Sequence, residues 1–270
     1  MRLTSILLAV LALSIGPLCS ASITGVAGGT PAPGATLGPY FMTPFPDEYR
    51  TGEVFDVDSP LGGQVFFFRE LPSDPPTDPP TYTYSPLSLR INSPSSWTAI
   101  EHIYTGKVYF TQLSSPSSMR LTLPSNTVAF YFYATSNHTG DHDISATASG
   151  TSADGTSLTP ESLTQGTDAS HGASYYGFYA GSGESLTTID LEVVGGPSWC
   201  DLNAGFTLGA FGIAIPGYAP PGSDVIVTDP ETGTTISFET VTQGGQTTVT
   251  TSAPGQTQGP PAGFKLVTTP

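Results

Sequence analysis

The chain has 270 residues, of which only 11% are charged, and its 22 Asp and Glu against 7 Lys and Arg give a formal charge of −15. Such a surface repels phosphate backbones and anionic headgroups, which argues against nucleic acid and acidic membranes as partners. The 31 Gly and 26 Pro favour turns over helices, and no segment beyond the first residues carries a 3.6-residue apolar period, so the composition predicts an all-β protein.

In chain order, Met1-Arg2-Leu3-Thr4-Ser5, the apolar run Ile6–Leu13 and the Gly16-Pro17 break match the three regions of a secretory signal peptide. The run is too short and too near the terminus for a good membrane span. Cys19-Ser20-Ala21 places small residues where a signal peptidase reads them, so residues 1–21 are expected to be removed and Ser22 to begin the mature chain. Leu18, before Cys19, argues against lipid modification of that cysteine. The protein is therefore expected to be secreted, extracellular or at the cell surface, with no membrane insertion after cleavage. Cleavage removes Arg2 and no acid, leaving 6 basic against 22 acidic residues and a charge of −16. Cys200 then remains alone, which rules out an intramolecular disulfide and reads as a small buried apolar residue.

Residues 22–53 are rich in Gly, Pro and Thr and read as an irregular lead-in. Strands follow at Gln64–Arg69, near Leu87–Ile91 and at Lys107–Thr111, the first two separated by a loop over Pro72–Pro80, where proline removes ladder donors. At Ser118–Leu123 the alternation points Met119, Leu121 and Leu123 inward and Arg120 and Thr122 outward. Ile189, Leu191 and Val193 alternate with Asp190 and Glu192 in the same way. With 128–134, 144–149, 175–180 and 206–215 the total is roughly eight strands, the number of a jelly roll.

The strongest pattern spans 127–215. Val128, Phe130, Phe132 and Ala134 share one strand face, and Ala129, Tyr131, Tyr133 and Thr135 share the other. The order TVAFYFYA, a polar hairpin, SYYGFYA, LTTIDLEVV, then Asp201-Leu202-Asn203 leading into LGAFGIA resembles the second half of the jelly-roll-like β-sandwich of secreted bacterial proteins, many of them sorted by a PEP-CTERM signal. The resemblance implies a sandwich over 54–215 and no particular activity. Residues 250–270 have neither the apolar span nor the basic end of that sorting signal. Pro216-Gly217 and Pro220-Pro221-Gly222 mark a linker over 216–224. The Thr/Gly-rich tail 225–270 carries short strand patterns and resembles the opening of a small β repeat, so an incomplete module is expected there.

No nucleophile elbow, zincin pair, phosphate loop or dinucleotide fingerprint is present. Most acids sit in turns beside Gly, Ser, Thr or Pro, where Asp stabilises the bend. Asn137-His138-Thr139-Gly140-Asp141-His142-Asp143 gathers two imidazoles and two carboxylates, and it contains an N-glycosylation sequon. It reads as a polar hairpin tip before it reads as a metal site. The resemblance also implies a structural calcium that ties the N-terminal loop to the last strands. Asp56 and Asp58 on one side, with Asp201 and Asn203 on the other, have the residue types and places for it. Tyr131, Tyr133, Tyr175 and Tyr179 are ordinary strand residues for a half-buried face. An exposed aromatic face would also stack on sugar rings, with Trp97 in a loop as a further stacking candidate.

The expected function is a non-enzymatic, extracellular structural or adhesive module, whose partners are polysaccharide or surface proteins. A carbohydrate-binding module using exposed tyrosines is the alternative. An exported glycoside hydrolase with two facing carboxylates is the third.

Overall fold

A computed structural model describes residues 22–28, 33–72, 82–92, 107–111, 117–137, 140–168, 172–195, 205–228 and 235–247. Residues 1–21, Trp97, Trp199, Cys200, Asp201, Asn203, His138, most of the proline loop and the tail beyond 247 lie outside them. The described residues form strands and no helix. In the first quarter of the chain these are β1 (Thr24–Gly28), β2 (Thr36–Leu37), β3 (Tyr40–Phe41), β4 (Thr43–Pro44), β5 (Glu53–Val54), β6 (Asp56–Asp58) and β7 (Gln64–Pro72). Then come β8 (Tyr82–Pro86), β9 (Leu89–Asn92), β10 (Val108–Phe110), β11 (Ser118–Thr127), β12 (Ala129–Ser136), β13 (Asp141–Ser152) and β14 (Glu161–Asp168). The last are β15 (Ser174–Tyr179), β16 (Glu184–Gly195), β17 (Phe206–Ala214), β18 (Tyr218–Ala219), β19 (Gly222–Thr228), β20 (Thr235–Val241) and β21 (Gly245–Gln246).

Two antiparallel sheets carry the fold. The first runs β1-β15-β12-β17-β10-β9-β5, with β4 also on β17, and the second runs β14-β13-β16-β11-β7-β6, with β8 also on β7. Alternation drives the packing between them: Met119, Leu121 and Leu123 of β11 are buried, as are Ile189 and Leu191 of β16, while Arg120, Thr122 and Asp190 are partly exposed and Glu192 is exposed. Opposite them the first sheet contributes Phe130, Phe132, Tyr176, Phe178, Phe206, Phe211 and Ile213 to the same cluster, giving a sandwich-like core. Phe132 stacks on Tyr176 at 5.2 Å between ring centroids.

One bulge makes β17 fit. Tyr131 pairs with Gly212 but Tyr133 pairs with Gly209, so β17 has an extra residue over that stretch, with Ala210 at φ +50°. The shift puts Phe206 and Leu208 on the same face as Phe211 and Ile213, and all four reach the core.

The lead-in is not irregular. β1 closes the edge of the first sheet against β15, and β4 adds to β17. Its short strands carry no run of alternating apolar residues, so only their pairing partners reveal them. β14 was likewise invisible as a strand, because Leu163 is its single apolar residue and its edge position asks for no more.

Among the described residues, the strands beyond Ile215 pair only with one another, β18 with β21 and β19 with β20, so the expected linker itself holds β18 and the start of β19. Ala219, Val225 and Val227, with Phe238 and Val241 packed on them, form a small separate cluster. Two-stranded ribbons of this size have little stability of their own. Limited proteolysis is therefore expected to cut near the Pro216–Gly217 turn and leave a resistant core that unfolds at the same denaturant midpoint as the whole chain. A markedly lower midpoint for that core would show that the C-terminal strands brace the sandwich.

Candidate functional site

The tyrosine face, read as ordinary strand residues with a sugar platform as the alternative, is buried in the structure. Tyr131, Tyr133 and Tyr175 are 3%, 0% and 9% exposed, in a second apolar cluster with Leu37, Met42, Val108, Ala129 and Ala214. The segment around β2 and β3 lies over the outer side of the first sheet as a third layer, through Leu37, Tyr40 and Met42. Tyr179 is partly buried, edge-on to Tyr40 at 6.4 Å, and the Tyr40 hydroxyl donates to the Ala180 carbonyl at 3.0 Å. Glycines make the room: a Cβ on Gly212 would stand 2.1 Å from the Tyr131 ring, and one on Gly38, at φ +57°, would stand 2.8 Å from the Tyr179 ring. Burial pushes the Tyr175 phenol up to about 12 and raises that of Tyr133 as well. Stacking on a free saccharide is thereby closed to Tyr131, Tyr133 and Tyr175. Trp97 is outside the described residues.

Of the expected calcium ligands, Asp56 and Asp58 have partners of another kind. Arg50 donates from one terminal nitrogen to Asp56 Oδ1 at 2.6 Å and holds Glu48 through Nε at 2.9 Å and its other terminal nitrogen at 2.7 Å. Asp58 Oδ1 accepts from Gln64 Nε2 at 2.9 Å. The Tyr109 hydroxyl completes the knot, donating to Glu48 at 3.2 Å. Asp201 and Asn203 lie outside the described residues, among which no group of three or more His, Cys, Asp or Glu could hold a metal ion.

The described residues of the polar hairpin segment do not converge either. His142 points into the sandwich, 1% exposed, with neither ring nitrogen bonded, while Asp141 and Asp143 face solvent from the opposite side of β13. Asn137 is 7% exposed; its Oδ1 accepts from the Gly205 amide at 2.8 Å and its Nδ2 donates to the Thr111 carbonyl at 3.0 Å. That amide pins β12, β10 and β17 together at one end. In a glycosylating host Asn137 is therefore expected to stay unmodified, and peptide mass spectrometry finding a glycan there would contradict this network.

A different surface has the shape and chemistry of a site. On the outer side of the second sheet a cleft of about 300 Å³ is lined by Tyr84, Ser117, Ser118, Ser145, Thr147, Asp190 and Glu192, among others. Register assembles it: Ser118 sits opposite Glu192, which sits opposite Ser145, and one step along Arg120, Asp190 and Thr147 form the next row. Arg120 grips Asp190 with two parallel bonds, Nε to Oδ1 at 2.6 Å and a terminal nitrogen to Oδ2 at 2.7 Å. The guanidinium lies 3.9 Å from the centroid of the Tyr84 ring, which is 40% exposed. Searches against protein-family models, curated proteins and solved structures found no match. The cleft must therefore be read from its own chemistry.

That chemistry is an aromatic wall, a charged fork fixed in place and a floor of hydroxyls that both donate and accept. Thr147 already shows this with its Oγ1 2.8 Å from Ser162 Oγ. Tyr84 was missed because it follows the proline loop, in a segment with no expected strand. Its Tyr82-Thr83-Tyr84 alternation was the available signal. Arg120, Asp190 and Glu192 face outward as the alternation predicts, but their meeting depends on the β11–β16 register, which alternation alone does not give.

Proposed function

We propose that this protein is a non-enzymatic, extracellular adhesive module that binds polysaccharide in the Tyr84–Arg120–Asp190 cleft. The observation that carries the reading is the stack of Tyr84, Arg120 and Asp190 beside a row of uncharged hydroxyl side chains. The C–H-rich face of a pyranose packs against an aromatic ring, while its hydroxyls exchange hydrogen bonds with a pre-oriented carboxylate and with Ser and Thr. The signal-peptide pattern at residues 1–21 and the resemblance to jelly-roll-like exported sandwiches support an exterior setting. Hydrolysis is the weaker reading: Asp190 has both oxygens engaged by Arg120, and two facing, working carboxylates are required.

A glycan array probed with residues 22–270 is expected to give a restricted set of polysaccharide hits. Tyr84→Ala should weaken them by about tenfold or more, the scale of one lost aromatic contact. An array with no hits, or hits indifferent to Tyr84→Ala, would contradict the proposal.

A further inference from the structure

We infer that the cleft selects sugars carrying a protonated amino group, an inference that rests on the polysaccharide reading above. Asp190 and Glu192 are alternate residues of β16 and so share its outer face. Their circumstances differ. Asp190 is neutralised by the two-pronged Arg120 pair, whereas Glu192 has no ion pair or hydrogen bond among the described residues. Its cross-strand neighbours are Ser118 and Ser145, both short and uncharged. Counting Arg120, the cleft carries one uncompensated negative charge.

A carboxylate accepts hydrogen bonds and cannot donate them. Neutral sugar hydroxyls are already served by Ser118, Ser145 and Thr147, so the distinct capability of Glu192 is a charge-assisted bond to an ammonium group. One face of the Tyr84 ring is already covered by the Arg120 guanidinium, so the ring contributes its remaining apolar surface to the sugar and the charge selection falls to Glu192. Uronic acids and sulfated sugars meet the opposite sign, both at Glu192 and in the field of a chain with charge −15. The ligand class is therefore a polymer or oligomer of de-N-acetylated hexosamine.

Calorimetric titration of residues 22–270 with β-1,4-linked glucosamine oligomers and with their N-acetylated forms, in mildly acidic low-salt buffer, tests this. The amino form is expected to bind roughly tenfold tighter, the scale of one charge-assisted bond. Added salt should erode the difference, and Glu192→Gln should bring the amino form down to the affinity of the acetylated one. Glu192 is exposed, so the variant leaves the core alone. Equal binding of both forms, still lost in Tyr84→Ala, would overturn the amino-sugar inference and keep the polysaccharide reading. Absence of binding to any saccharide would overturn both. Capture of an oligolysine peptide as tightly as the amino sugar, indifferent to Tyr84→Ala, would replace the inference with plain electrostatic attraction.

Discussion

Phe132→Ala and Tyr133→Ala are each expected to destabilise the fold by about 3–5 kcal/mol in chemical denaturation, the usual cost of emptying a buried aromatic site. The two residues are neighbours on β12 and point to opposite faces, yet both are 0% exposed. Phe132 stacks on Tyr176 between the sheets. Tyr133 stands edge-on to Tyr175 at 5.4 Å in the outer cluster that includes Leu37 and Met42. A sandwich of only two layers would leave one of these faces wet. Equal penalties would show that residues 33–42 form a true third layer. A loss within about 0.5 kcal/mol for Tyr133→Ala, the range of surface substitutions, would show that the layer does not hold.

The second large effect is expected at Arg50. The Glu48 side chain is only 3% exposed, against 25% for Arg50. Burial works to raise the Glu48 carboxyl, but the hydrogen bonds and charge of Arg50, with the Tyr109 hydroxyl, outweigh it and hold the carboxyl below its ordinary value. Arg50→Met leaves that carboxylate buried without its partner, and a loss of about 3–5 kcal/mol at neutral pH is expected. The sign of its pH dependence follows from the two states of Glu48. In the native protein a depressed carboxyl gives stability that is present above its unfolded value, about 4.3, and is lost as pH falls through the folded one. In the variant burial is opposed only by the backbone amide of residue 50 and the Tyr109 hydroxyl, so the penalty is greatest at neutral pH and relaxes as Glu48 protonates. The gap between the two proteins should therefore close in acid, and Glu48→Gln added to Arg50→Met should recover much of the loss. A pH-independent gap would place the cost in lost packing by the arginine stem.

The all-β character and the inner core were legible because they rest on local alternation: Met119, Leu121, Ile189 and Leu191 lie where the odd positions of their strands put them. Tyr131 and Tyr133 show the limit of that reasoning. Alternation correctly separates them from Phe130 and Phe132, but it cannot say what covers the second face. The cover comes from residues nearly a hundred positions earlier, whose strands are two residues long. Asp56 makes the same point electrostatically. A D-x-D pair looks like a calcium donor until Arg50 is seen to hold Asp56 and Gln64 to hold Asp58, each from six residues away. The cleft was half legible: Arg120, Asp190 and Glu192 were outward by pattern, and only strand register makes them neighbours of each other and of Tyr84.

The most direct test of the binding surface is a map of where a saccharide lands. Backbone amide shifts of residues 22–270, followed by NMR as the best array hit is added, should change at Tyr84, Ser118, Ser145, Thr147 and Glu192. They should stay still at Tyr131, Tyr133 and Tyr175. Perturbations centred on the tyrosine layer, with the β11–β16 face unmoved, would contradict the assignment of the cleft and return the site to the opposite side of the molecule.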